Sequence, residues 1–325
     1  MRDFTAYLLH FTSPLHLGDS RSDYGTSLQT FSSDGMYAAL TAMLAMLDGH
    51  VPQGGDLGCT ISALFPFCQL HEGDQPLLFY PRPLSAELPQ IGDMRQAKRV
   101  KKVKWIDQCG LEQTLAGELV IDEKAMGNVC GRYMTCSKTG FDENFMKAAV
   151  VQRVSIPSVD YCTNPVPFYM DRLHFQGRSG LFFLCEGDTT WVDRAMPLLQ
   201  QCGIGTDRNV GNGFFEYEKK EVKLAVPETA DAAVSLSTYI PSSQEELKQM
   251  MSNPSYACEL IRRGGWMSET LVRKNAIYAY APGSVFAWVG NTVGAIHDLA
   301  PHGVEHPVYR CGRSIMLPYN ANNHE

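Results

Sequence analysis

The chain has 325 residues, 44% of them hydrophobic and 19% charged, which is an ordinary globular composition and long enough for two domains. A formal net charge of −7 argues against indiscriminate nucleic-acid binding over the whole surface and confines any such role to local patches. There is no apolar run of about 18 residues and no apolar signal core after Met1, so the expectation is a cytoplasmic protein without membrane contact. The ten cysteines contain no Cys-x-x-Cys pair and read as free thiols.

In chain order, Asp3–Phe11 has strand character. A long polar loop follows, Thr12 to Gly25, gathering His16, Gly18, Arg21 and Tyr24. It is either a solvated connection or a phosphate- or base-contacting loop, and its length favours the second. Ser32, Ser33 and Asp34 form an N-cap cluster before a helix from Gly35 to Leu47, which Gly49 stops. Short apolar runs at Ile61–Phe65 and Leu77–Tyr80 come next. Residues 92–148 differ in character. Lys98–Lys104 packs five cations into seven positions, with Lys101 in the run and Arg132 further on, near Trp105, Tyr133 and Phe141. This stretch reads as an extension from the main body that grips a phosphate backbone, against the bland reading of a solvated charged face.

Strands are expected at Val150–Ile156, Phe168–Phe175 and Gly180–Cys185, the last two paired across Gln176–Ser179. A helix at Asp193–Cys202 then leads into Gly203-Ile-Gly-Thr-Asp-Arg-Asn-Val-Gly-Asn-Gly213 and a strand to Leu224. Gly203, Gly205, Gly211 and Gly213 free the backbone, successive N–H groups can form an anion-binding concavity, and Thr206 and Arg208 stand ready to contact a phosphate. The order helix, loop, strand rules out a dinucleotide fingerprint or a P-loop. A connection that needs glycine only for its geometry remains open. The order strand, strand, helix, strand suits a ferredoxin-like unit, with the first block as a possible second copy. Further on, a strand at Ala232–Ile240 precedes a helix opening at Ser242–Glu246 like a capping box, and short strands follow to Pro318. His297, His302 and His306 lie in a segment broken by Pro301 and Gly303, which favours a polar loop over a metal site. Neither a Gly-x-Ser-x-Gly elbow nor another nucleophilic arrangement is present.

Four segments occur in a telling order: Phe11-Thr-Ser-Pro-Leu-His-Leu-Gly18, Ser33-Asp34 before a helix, the glycine loop, and His306-Pro-Val-Tyr-Arg-Cys-Gly312. Together they resemble the RAMP superfamily of CRISPR proteins, and the last narrows the resemblance to subunit four of the Csm (type III-A) effector complex. The resemblance implies an α+β fold of two ferredoxin-like (RRM-like) domains, set here at 1–149 and 150–325, with a projecting thumb at about 92–148. It implies a non-catalytic role in antiviral defence, capping the crRNA 5′ end, holding its repeat-derived tag and contacting the guide–target duplex. The implied protein partners are the large polymerase-like subunit and the Cas7-like backbone subunit; no cofactor, metal or catalytic residue is expected. The RNA-binding set is His16, Gly18, Arg21, Tyr24, Ser33, Asp34, Lys101, Arg132, Gly203, Gly205, Thr206, Arg208, Gly211, Gly213, His306, Tyr309 and Arg310, with Tyr24 or Tyr309 stacking on bases. The family often has Thr where this chain has Gly35, so a contact from that hydroxyl is lost. The alternative is a metal-independent endoribonuclease that trims crRNA precursors, with His16 as general base.

Overall fold

The computed structural model describes residues 1–18, 24–71, 73–85, 94–119, 129–136, 141–156, 164–254, 256–267 and 272–321, without the side chains of Met94 and Gln96. Strand β1 (Arg2–Phe11) is buried on both faces from Ala6 to Leu9, as a central strand must be. Helix α1 (Ser33–Asp48) starts where the Ser32 hydroxyl accepts from Gly35 N–H and ends at Gly49, whose φ of 74° closes the αL cap. Strands β2 (Cys59–Ile61), β3 (Phe65–Cys68) and β4 (Leu77–Pro81) follow, then helix α2 (Met94–Lys101), β5 (Trp105–Asp107) and helix α3 (Gln108–Ala116). Next come β6 (Val129–Cys130), β7 (Tyr133–Met134), β8 (Met146–Ser155), β9 (Val166–Phe175) and β10 (Ser179–Gly187). Helix α4 (Thr190–Cys202) and β11 (Phe215–Leu224) complete the first unit.

The main sheet runs β11-β1-β10-β3-β4-β5-β7-β6, with β2 also on β10. Within it, β1-α1-β3 and β10-α4-β11 make a β-α-β-β-α-β arrangement of strand order β11-β1-β10-β3. Helices α1 and α4 pack together and are tied by the Arg194–Asp48 ion pair. The order strand, strand, helix, strand read from the second block is therefore half of a unit whose other half is the start of the chain, not one of two copies. Residues on both sides of 149/150 share this sheet, because β1 lies between β10 and β11.

Two further expectations change. Strand β9 does not pair with β10; it pairs with β8 along ten residues to form a separate two-stranded ribbon. And the described part of 92–148 does not project. Val100, Val103, Trp105, Ile106, Leu111, Leu115, Tyr133 and Met134 are buried, and β5, β7 and β6 extend the main sheet. The apolar residues between the cations decide this: burying Val100 and Val103 turns Lys98, Arg99, Lys101, Lys102 and Lys104 to solvent. The long exposed segment is the β8–β9 ribbon, with Val150, Val154, Val166 and Tyr169 on its surface.

The C-terminal unit follows Leu224. It comprises β12 (Ala232–Ser235), helix α5 (Gln244–Met250), β13 (Leu260–Arg263), β14 (Ile277–Tyr280), β15 (Val285–Ala287), β16 (Thr292–Val293), β17 (Ile296–Asp298), β18 (Tyr309–Cys311) and β19 (Ser314–Tyr319). Its sheet is β15-β12-β19-β16, over a small core of Ala233, Tyr239, Met250, Phe286 and Met316. Glu246 N–H on the Ser243 hydroxyl caps α5. The units share the main apolar core, which takes in Val234, Leu236, Val285, Ile315 and Leu317, and polar contacts add to it: Arg2, held by a fork on Glu186 at 2.7 Å, donates to the Met316 and Asn291 carbonyls, and the Ser237 hydroxyl donates to the Ile61 carbonyl. No helix among the described residues is long and apolar enough to cross a membrane.

At Gly180 in β10 a Cβ would overlap the Leu9 carbonyl of β1. Gly180→Ala is expected to force these central strands apart and cost about 2–3 kcal/mol, read as a lower urea midpoint at unchanged m.

Candidate nucleic-acid interface

The loop from Gly203 to Gly213 connects α4 to β11 and lies on the segment Ser13–His16. Thr206 N–H donates to the His16 carbonyl at 3.0 Å, and Gly213 N–H donates to the Pro14 carbonyl at 2.8 Å. Phe214 N–H donates to the Ser13 hydroxyl, and Ile204 N–H closes the loop on the Gly213 carbonyl. Sterics explain two glycines. At Gly205, with φ of 88°, a Cβ would stand 2.5 Å from the His16 carbonyl oxygen; at Gly213 it would overlap the Ile204 carbonyl. Gly211 is different: it is exposed, has nothing within 4 Å and needs glycine for its φ of 88° alone. Asp207 takes the αL conformation at φ 55°, next to a short 3₁₀ turn at Arg208–Val210. Among the described residues, the N–H groups of Gly205, Asp207, Arg208 and Asn209 meet no acceptor. A turn of this kind, left- and right-handed by turns, presents amides to an anion. Thr206 is exposed; Arg208 is half-buried with one long contact to the Gly203 carbonyl at 3.5 Å.

His16 sits beneath this loop at 1% exposure. Its Nδ1 is 2.6 Å from the Asp171 carbonyl, and since a carbonyl only accepts, Nδ1 carries the hydrogen. Tyr24 stacks on the His16 ring at 5.8 Å and meets Phe168 of β9 at 5.4 Å. The His16 side chain is thus a structural support, and its carbonyl is what the glycine loop uses. Gly18 is half-buried beside it; Arg21 lies outside the described residues.

One functional candidate was missed in the sequence: Arg172 of β9. Its Nε and Nη2 are shielded from water and have no hydrogen-bond partner among the described residues. Burial and Arg153 lower its pKa, while Asp207 of the glycine loop acts in the opposite sense, which puts the loop within its electrostatic reach. The available signal was its register with Phe168 and Met170 on one face of β9.

Of the three segments that carry most of the expected RNA-binding set, the structure brings the glycine loop and the His16 segment together, and the His306–Arg310 segment lies elsewhere. Among the described residues no hydrogen bond, ion pair or ring contact joins His306, Tyr309 or Arg310 to the glycine loop. They meet the start of α1 instead. Asp34, 1% exposed, pairs with Arg310 of β18 and with Arg263 of β13 at 3.0 Å, and accepts from the Thr238 hydroxyl at 3.2 Å. The Ser33 hydroxyl accepts from Thr238 N–H, Ser32 accepts from Arg263, and Arg310 also donates to the Gly264 carbonyl. Ser33, Asp34 and Arg310 are therefore committed to joining the units, not turned to a ligand as expected. Gly35 has a local reason too: a Cβ there would press on the Phe31 ring and the Ser32 hydroxyl at 3.0 Å. Tyr309 is half-buried with its ring over Gly55, and His306 is exposed. Lys101 and Arg132 are exposed; Arg132 donates to the Gln29 side chain. Among the described residues no group of three or more His, Cys, Asp or Glu is arranged to hold a metal ion.

Comparison with known proteins adds what the chain is similar to. Residues 228–319 match the family model described as the CRISPR Csm4 C-terminal domain. A protein of Mycobacterium tuberculosis named CRISPR system Cms protein Csm4 is 26% identical over 308 residues, covering 91% of this chain and 92% of the relative. In sequence the chain is similar to CRISPR Csm4 proteins. Its fold is shared by a chain of a Csm3–Csm4 subcomplex of the type III-A CRISPR-Cas interference complex, at 17% identity and TM-score 0.65 over 98% of this chain and 99% of that one. It is shared as well by a chain of a Csm1–Csm4 cassette in complex with cA4, at 20% identity and TM-score 0.59 over 98% of both.

Burial alone would raise the Asp34 pKa, but Arg263 and Arg310 outweigh it and hold the carboxyl below its usual value. Its contribution is complete above the unfolded value of about 4 and is lost as pH falls through the lower folded value. Asp34→Asn is expected to lower stability at pH 7 by about 3–5 kcal/mol, because two guanidiniums lose their carboxylate. The gap between variant and wild type should close below about pH 4 in urea titrations.

Proposed function

We propose that this chain is the non-catalytic subunit of a type III-A (Csm) interference complex that caps the crRNA 5′ end and holds its repeat-derived tag. The observation that carries the reading is the glycine loop: anchored on the backbone of Pro14 and His16, it leaves the amides of Gly205, Asp207, Arg208 and Asn209 without acceptors among the described residues. Phosphates of a single strand would take those amides with Thr206 and Arg208, and Tyr24 would offer its ring to a base. Gly18, Gly203, Gly211 and Gly213 shape the path; Lys101 and Arg132 would meet the backbone farther along. The β-α-β-β-α-β arrangement is read as one ferredoxin-like, RRM-related unit and the region after Leu224 as the second. The projecting thumb toward the guide–target duplex is then the β8–β9 ribbon.

The proposed protein partners are the large polymerase-like subunit and the Cas7-like backbone subunit, on the strength of the Csm1–Csm4 and Csm3–Csm4 assemblies whose fold this chain shares. The proposed setting is the cytoplasm. The endoribonuclease alternative has no observation in its favour, since the ring of His16, its proposed base, is buried under Tyr24 and held by Asp171.

Arg208→Ala is expected to weaken tag-RNA binding about tenfold and to lower the salt slope by about one; an unchanged affinity and slope would sink the reading. Repeat RNA incubated with the purified chain in EDTA should stay intact on a denaturing gel.

A further inference from the structure

Strands β13 and β14 pair with no other strand of the described fold. Their register sets Arg262 opposite Tyr278 and Arg263 opposite Ile277, so the two faces of this ribbon differ in kind. The inner face carries Ile261, Arg263, Ile277 and Ala279, all buried or half-buried, and Arg263 reaches back to Asp34. The outer face carries Leu260, Arg262 and Tyr278, and Tyr278 is 62% exposed. Nearer the turn, the Arg273 guanidinium lies 4.7 Å over the Trp266 ring. Such stacking holds the guanidinium flat and leaves its edge for an oxyanion.

Charge separates this surface from the rest of the molecule. In a chain of net charge −7, the described ribbon from Tyr256 to Tyr280 carries Arg262, Arg263, Arg273 and Lys274 against one carboxylate, Glu259. Asp34 engages Arg263 and lies within electrostatic reach of half-buried Lys274, whereas exposed Arg262 and Arg273 form no ion pair with a carboxylate among the described residues. Rings and arginines also serve protein interfaces, but two exposed arginines without carboxylates beside an exposed ring are what a single-stranded nucleic acid needs, a π-face for a base and cations for the flanking phosphates.

We propose that the outer face of the β13–β14 ribbon is a second contact for single-stranded RNA, in which Tyr278 stacks on a base and Arg262 and Arg273 take the flanking phosphates. The proposal rests on the RNA-binding reading given above but uses none of the residues of the glycine loop. It places RNA on the C-terminal unit. Because Arg263 ties the same ribbon to Asp34, the surface is held rigidly against α1.

The test uses the full-length chain and fluorescein-labelled oligouridine, with Arg262→Glu combined with Tyr278→Ala in one arm and Arg208→Ala in another. Both ribbon residues are exposed, so thermal unfolding should match the wild type. The ribbon variant is expected to bind about tenfold more weakly with a salt slope lower by about one. Thiouridine-substituted RNA should crosslink to the wild-type peptide containing Tyr278. If Arg208→Ala weakens binding while the ribbon variant matches wild type and no crosslink maps to the ribbon, this proposal alone falls. If the wild-type chain binds no RNA, the tag-binding reading falls and this one with it. A ribbon variant that keeps its RNA affinity but no longer assembles with the partner subunits would mark the face as protein-binding and overturn the proposal.

Discussion

The two units share one apolar core, and a buried carboxylate at the start of α1 fixes the direction of their contact there. Asp34, in the first turn of α1, faces Arg310 from β18 and Arg263 from β13. An ion pair so deep is a poor source of net stability, since removing charges from water costs nearly what their attraction returns. Its value is directional: a carboxylate and two planar guanidiniums accept few arrangements, so α1, β18 and the β13–β14 ribbon are fixed relative to one another. Burial lowers the Arg310 pKa, with Asp34 opposing, and Lys274 nearby is lowered by burial and then by Arg310. By count, three cations, Arg263, Arg310 and Lys274, stand near the one carboxylate of Asp34 at the seam.

The glycine loop works on a different principle. Its shape comes from steric exclusion, with the His16 and Ile204 carbonyls occupying the volume that side chains at Gly205 and Gly213 would need. Backbone bonds to Pro14 and His16 then fix it, so the remaining amides are oriented before any ligand arrives. Pre-orientation of this kind reduces the ordering cost of binding. The rings of His16, Tyr24 and Phe168 touch in turn, the first pair stacked and the second tilted, from beneath the loop to the β8–β9 ribbon. The loop, the floor and the ribbon thus belong to one mechanical unit although they come from residues 13–18, 24, 168–172 and 203–213.

Local signals were legible wherever the neighbours in sequence are the neighbours in space. The α1 helix and its Ser32 and Gly49 caps, the strand at β1, the helix–glycine loop–strand order and the capping of α5 all follow from a few consecutive residues. The motif order that carries the family resemblance was legible for the same reason. Strand partners were not. The segment Phe168–Cys185 reads as a hairpin because a turn sits between two apolar strands, yet β10 takes β1 and β3 as neighbours while β9 takes β8. Alternation specifies a buried face, not the identity of the strand beside it.

Roles of charged residues divided the same way. Sequence determined that Asp34, Arg310 and Arg208 carry charge, that the glycine loop can adopt conformations closed to other residues, and that Lys98–Lys104 is a one-signed run. Only the tertiary structure decided that Asp34 and Arg310 neutralise each other across 276 positions of chain while Arg208 stays beside a loop with open amides. It also decided that Arg262 and Tyr278, 16 residues apart, share an exposed face. The physical reason is that charge and conformational freedom belong to single residues, whereas burial, pairing and the direction in which a side chain points are set by distant segments that fold against it.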